Sequence, residues 1–182
     1  VRSCLVVCAL TVLVGVSACA VGRTGSVDPF PERPYALDVT QVDPCAALTE
    51  NQQTALALKL GRSGTSQGGT SRGCNWVSSA GLGWNLQTLV DDASTAVGAE
   101  PTSTIVEVGG FGAVQSSPPA RGTGLAFCQV VLDVADGASL RAQVQVTPLA
   151  PDAEQHTVER TCEQVRAVAE LMIDNLHARQ TP

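Results

Sequence analysis

Cysteine is the residue type with the widest chemical range in this sequence. There are seven: Cys4, Cys8, Cys19, Cys45, Cys74, Cys128 and Cys162. A thiol can pair, bind a metal, attack an electrophile or accept a lipid. Zinc is poorly matched by the spacing. No two cysteines have the short C-x2-C gap, and only His156 and His177 are present to assist. Nucleophilic catalysis needs a base within hydrogen-bond reach of the attacking group. His156 follows a proline-rich stretch and His177 lies near the C-terminus, so both are expected on solvated surface. No G-x-S-x-G motif occurs. The acidic pairs Asp91–Asp92 and Glu159/Glu163 fall where helix starts are expected, positions that favour carboxylates without any catalytic role. The sequence therefore predicts no catalytic residue, no metal and no cofactor. Its alternative is a hydrolase using a carboxylate pair, which requires two of Asp91, Asp92, Asp133 and Asp136 to converge in a cleft.

Lipid attachment is the thiol chemistry that the N-terminal spacing suits. Between Arg2 and Arg23 lie twenty uncharged residues, Ser3 to Gly22. That length would admit a membrane-spanning helix. However, the strongly apolar part runs only from Leu5 to Val16, the length of a signal-peptide core, and Gly15, Ser17 and Ala18 are small. The order Val16-Ser17-Ala18-Cys19 resembles the lipobox of bacterial lipoproteins. In that motif the thiol is alkylated by diacylglycerol and the bond before it is cut. Small side chains let the peptide enter the peptidase groove. Residues 1–18 are thus expected to be a lipoprotein signal peptide and Cys19 the attachment site. Two further acyl-bearing positions on the glycerol would make anchoring stable, at about 0.8 kcal/mol per buried methylene.

Removing residues 1–18 takes away Cys4 and Cys8, and lipidation uses Cys19. Cys45, Cys74, Cys128 and Cys162 remain. An even set outside the cytoplasm implies two disulfides, for which spacing leaves three connectivities open. The expected location is the outer face of the cytoplasmic membrane. Composition agrees with a single exported domain. The chain has 182 residues, 44% of them hydrophobic and 3% aromatic, with a formal net charge of -6. An acidic, aromatic-poor surface is a poor match for nucleic acid or for a polybasic grip on lipid headgroups.

The elements that must position these cysteines follow from pattern. Residues 19–42 carry Gly22, Gly25, Pro29, Pro31 and Pro34 with no period, which predicts a flexible tether. The domain is expected over 43–177, with a disordered tail at 178–182. Asp43 can cap and Pro44 suits a first helical position. Thr49 and Gln52 read as a capping box for a short helix, with Ala55, Leu56, Leu58 and Leu60 on its apolar side and Gly61 at its end. "GRSGTSQGGTSRG" is a loop by composition and lacks the lysine of a phosphate-binding loop. "CNWVSSAGLGWNLQTLV" predicts a hairpin turning at Ser79-Ala80-Gly81, which sets Trp76 opposite Trp84 and Cys74 opposite Leu86 on a core face. "TSTIVEVGGFGAVQ" predicts a strand entering a glycine-rich bend. "LAFCQVVLDVADGASLRAQVQV" predicts a second hairpin, turning at Asp136-Gly137 with one wet face. The last segment predicts a helix with Val158, Cys162, Val165, Ala169, Met172 and Leu176 on one stripe. The fold class is α+β: an antiparallel twisted sheet of about 4–6 strands against short N-terminal helices and a C-terminal helix.

Taken in order, "DPCAALT", "GCNW", "GGFGA", a Cys-bearing strand and "CEQVRAVAELMIDNL" resemble the actinobacterial lipoproteins of the domain of unknown function 3558 family, over roughly Val42 to Leu176. The resemblance implies the location, the fold and pairing of the four domain cysteines, favouring Cys45–Cys74 and Cys128–Cys162. It implies no activity. The expectation is a non-enzymatic binding or accessory module held to the membrane by diacylglycerol on Cys19, engaging an envelope protein or a small ligand.

Overall fold

The computed structural model describes residues 28–118 and 124–181. Cys4, Cys8, Cys19 and the proposed cut before Cys19 lie outside the described residues. Seven antiparallel strands form one sheet: β1 (Arg62–Ser66), β2 (Ser71–Val77), β3 (Leu82–Leu89), β4 (Thr104–Val108), β5 (Phe111–Ser116), β6 (Phe127–Ala135) and β7 (Ala138–Val146). Their spatial order is β1-β2-β3-β7-β6-β5-β4. Helix α1 (Glu50–Ala55) is short, and α2 (Val158–Gln180) is the long C-terminal helix.

The α+β class stands, with more strands than composition suggested. The Gly/Ser/Thr-rich segment forms edge strand β1, with every residue exposed. It has no apolar alternation because neither face is buried, so pattern had nothing to register. "TSTIVEVGGFGAVQ" is two strands, not one strand and a bend. Gly109 and Gly110 both have positive φ (58° and 82°), the requirement of a tight two-residue hairpin turn.

The β2–β3 hairpin has the expected register, with Cys74 opposite Leu86 and Trp76 opposite Trp84. Gly81 sits at φ 78° in its turn. The second hairpin turns at Asp136-Gly137. One helix-facing layer forms the core, in which Trp76, Leu86, Val130, Leu132, Leu140 and Val144 meet Val165, Met172 and Ile173 of α2. Most of the predicted α2 stripe is buried, but Val158 is 39% exposed because it starts the helix beyond the sheet.

Caps behave as their residue types dictate. The Asp43 carboxylate accepts from the Cys45 N–H (3.0 Å) at a 3-10 turn over Pro44–Ala46. Thr49 and Gln52 form the reciprocal capping box. Two expectations here fail. Leu60 is 87% exposed, and α1 ends at Ala55, with Ala57 rather than Gly61 taking the left-handed conformation beyond it (φ 53°). Gly61 serves a different need: a Cβ there would lie 2.5 Å from Trp76 Nε1 and 2.6 Å from Cys74 Sγ.

Two disulfides tie these layers. Cys45–Cys74 joins the first 3-10 turn to β2, and Cys128–Cys162 joins β6 to α2. These are the pairs that the resemblance implies.

The tether is shorter than its proline content suggested. Leu37 and Val42 are buried at 0% and 1% exposure, and the Leu37 N–H donates to the Val134 carbonyl (3.0 Å) beside an irregularity in the β6–β7 ladder. Proline excludes helix and inner strand, but it does not exclude an extended strap laid on a core. The 178–182 tail is corrected too. Helix α2 continues to Gln180, whose amide exchanges two hydrogen bonds with the backbone of Asp38 (3.1 and 3.0 Å).

Candidate functional site

Among the described residues, the sheet face turned away from α2 is covered at one end. There a 3-10 turn, Ala93–Ala96, packs on β5, β6 and β7. Phe30 lies over Gly112, where a Cβ would come within 2.5 Å of the Phe30 Cβ, so only glycine admits the ring. The strap then wraps the turn end of the sheet. Arg33 grips β6 and the hairpin turn, and Tyr35 reaches the helix side, stacked on His177 (3.7 Å between centroids) and edge-on to Phe111 (4.9 Å).

Between the strap and the 3-10 turn lies a cleft of about 610 Å3. That volume is within the range of small-molecule sites. Pro29, Phe30 and Val97 make an apolar side; Asp28, Asp92, Asp133 and Asp136 supply carboxylates, with Arg33 among them. Sequence reasoning named Asp91, Asp92, Asp133 and Asp136 as the acids to watch. Three of them meet here. Asp91 does not: its carbonyl accepts from the Ser139 hydroxyl (2.8 Å).

Each of the three is engaged. Asp133 is buried and takes both ends of the Arg33 fork, Nε to Oδ2 at 2.6 Å and Nη2 to Oδ1 at 2.8 Å. Arg33 Nη1 donates to Asp136 Oδ1 at 2.6 Å. The Gly137 N–H donates to Asp92 Oδ1 at 2.6 Å, closing the β6–β7 turn against the 3-10 turn. The bonds to Asp133 raise the pKa of the Arg33 guanidinium further, despite the opposing effect of its burial. A bidentate guanidinium–carboxylate pair fixes geometry as well as charge. Arg33 escaped sequence reasoning because it sits in the segment read as tether; no local pattern marks a residue that pairs with another a hundred positions away.

Four carboxylates against one guanidinium leave the cleft acidic, suited to a cationic group beside an apolar one. Among the described residues no group of three or more His, Cys, Asp or Glu is arranged to hold a metal ion. No helix among them is long and apolar enough to cross a membrane. His156 and His177 are half-buried rather than fully on the surface, and Tyr35 of the strap stacks on His177.

A family model described as "Protein of unknown function (DUF3558)" matches residues 14–175. No curated protein matches the sequence. Among solved structures, a crystal structure from Bacteroides thetaiotaomicron VPI-5482 is similar at 10% sequence identity and a TM-score of 0.32. The similarity covers 56% of this chain and 47% of that one, so the chain spans about half the length of that protein.

Proposed function

Starting from the fact that the chain belongs to the DUF3558 family, whose description assigns no activity, we propose that it is an actinobacterial lipoprotein anchored through Cys19 to the outer face of the cytoplasmic membrane. There it acts as a non-enzymatic binding or accessory module. The anchor reading rests on Val16-Ser17-Ala18-Cys19 after a short apolar core. The extracytoplasmic reading is supported by two disulfides, which persist in oxidising compartments. The observation that carries the non-enzymatic reading is the engagement of Asp92, Asp133 and Asp136 by Gly137 and Arg33. A general acid or nucleophile must be free to exchange a proton or attack. Here the carboxylates hold the strap and turn in place.

One observation favours the hydrolase alternative: the three acids line the same cleft. The two readings part in a turnover assay. The hydrolase reading expects the purified chain to cleave members of a chromogenic glycoside and ester panel, and expects Asp92→Asn and Asp136→Asn to abolish it. The binding reading expects no turnover above those variants. For the anchor, mass spectrometry of the membrane fraction should find a lipidated Cys19 N-terminus, and Cys19→Ser should leave the membrane. An intact N-terminus, or one at another residue, overturns it.

A further inference from the structure

Away from the covered end, the second face of the sheet exposes Asn75 and leaves Asn85, Gln143 and Gln129 half-buried, while Ser116 is buried, and the strand register organises it. Arg62 stands opposite Asn75, Asn75 opposite Asn85, Asn85 opposite Gln143, Gln143 opposite Gln129, and Gln129 opposite Ser116. This is one polar row running across the strands. With strands about 4.8 Å apart, the row from Asn75 to Ser116 is about 19 Å long. Within it Gln143 donates to Gln129 (2.7 Å), Gln129 to Ser116 (3.0 Å) and Asn85 to Asn75 (2.9 Å). No bond joins the two runs: the Oδ1 of Asn85 is buried without a partner.

Bare backbone flanks the Asn75–Asn85 end, at Gly64 on one side and Gly83 on the other. A Cβ would meet nothing within 4 Å at Gly64 and only contacts at 3.9 Å at Gly83. Packing does not demand glycine at those two positions. The effect of their absent side chains is a shallow trough beside the amides.

Charge on the uncovered part of this face runs against that of the chain; at the covered end the same face carries Asp133, paired with Arg33. The net charge is -6, yet β1, β2, β3 and β7 contain no Asp or Glu. Arg62 and Arg141 stand on their open face. The chain's single lysine, Lys59, joins Arg62 and Asn75 in a cleft of about 440 Å3 at the end of the row. Arg141 lies beside the row, opposite Gln87, to which its Nη2 donates. Its Nε is buried with no partner, and among the described residues no carboxylate pairs with it. Leaving a half-buried guanidinium without a counter-charge is unfavourable. The Asn85 Oδ1 and Arg141 Nε are buried beneath the surface; the capacity that a ligand can meet is the unpaired charge of Arg141 together with the exposed Lys59, Arg62 and Asn75.

We propose that this open face binds an acidic polysaccharide, a linear polyhydroxylated chain bearing carboxylates, along the amide row. Sugar hydroxyls exchange hydrogen bonds with Asn75, Asn85 and Gln143. Carboxylates meet Arg141 and the Lys59–Arg62 cleft. Peptides use sheet edges or apolar pockets; here the edge strand β1 and the apolar Leu60 and Val77 lie only at the row's end, and the row itself presents amides. Nucleic acid needs stacking rings, and Phe127 is the aromatic residue that the strands place on this face. The proposal rests on the binding-module reading but uses a surface separate from the acidic cleft and needs no anchor.

The test is calorimetric titration of the purified full chain with a tetragalacturonate. The neutral galactose tetramer and an oligoglutamate serve as comparison ligands. The uronate should bind at millimolar or lower concentration, more weakly as salt rises, and at least about tenfold more tightly than either comparison ligand. Arg141→Gln should weaken it about tenfold. The exposed pair Lys59→Gln/Arg62→Gln should do the same with an unchanged melting curve, which keeps the test valid if Arg141→Gln misfolds. No uronate binding at millimolar concentration, equal binding of oligoglutamate, or full binding by the Lys59/Arg62 variant overturns the proposal. Turnover in the panel above would overturn the non-enzymatic reading while leaving this titration to stand or fall separately.

Discussion

Tyr35 is the chain's single tyrosine, and it reports on the strap. Burial first, and then the negative charge of Asp174, raise the pKa of its phenol above the ordinary tyrosine value. A group whose folded-state pKa is raised contributes stability fully present below the unfolded pKa and lost as pH climbs through the folded value. Ultraviolet titration of the native chain should therefore show phenolate forming at higher pH than in urea, with the strap loosening in the same alkaline window. Coincident native and denatured titrations would mean that Tyr35 is not packed on His177 and Phe111. No local pattern marks this residue, because a lone aromatic among prolines has no periodicity to place it on a core. Arg33 is unmarked for a similar reason. Its value lies in Asp133 and Asp136, which only folding brings to it.

The strongest local signals in the chain belong to its elements. The β2–β3 hairpin, its Trp76–Trp84 pair and the capping box at Thr49–Gln52 were legible because each is set by residues a few positions apart. Edge strand β1 was not legible, because a strand with both faces exposed carries no burial alternation. Two disulfides lock the elements together across separations of 29 and 34 residues. Replacing either pair by serine should lower stability by about 3–4 kcal/mol in the chain-entropy account, measured by urea denaturation. The two losses should differ in kind. Without Cys128–Cys162, α2 loses its covalent tie to the sheet, and hydrogen exchange should rise first in α2. Without Cys45–Cys74, exchange should rise first in the N-terminal turn and α1. Uniform exchange in both variants would show that the sheet and helices open as one unit.

For the whole molecule, the strap is part of the fold. It crosses from the acidic cleft, around the turn end of the sheet, to the C-terminal end of α2, held by Arg33, Leu37, the Arg72 bonds to the Val39 and Thr40 carbonyls (2.9 and 2.6 Å), and Gln180. Leu37→Ala should cost about 2–5 kcal/mol, as other large-to-small core changes do. A chain truncated to begin at Asp43 should bind hydrophobic dye and melt well below the full chain. A truncated chain as stable as the full one would return residues 28–42 to the role of a loose tether.

By itself the sequence determined the even set of four domain cysteines, the α+β class, the two central hairpins and the long last helix. All of these are written in local composition, spacing or period, because the forces that select them act between near neighbours. The tertiary structure decided what depends on distant residues meeting. It converted most of the proline-rich segment into a packed strap, drew Asp133 and Asp136 to one guanidinium and set Asp92 against the turn beside them. It also aligned Asn75, Asn85, Gln143 and Gln129 from four strands into one row. Register and long-range charge pairing have no local signature, since each contact becomes favourable only after the core has already closed around it.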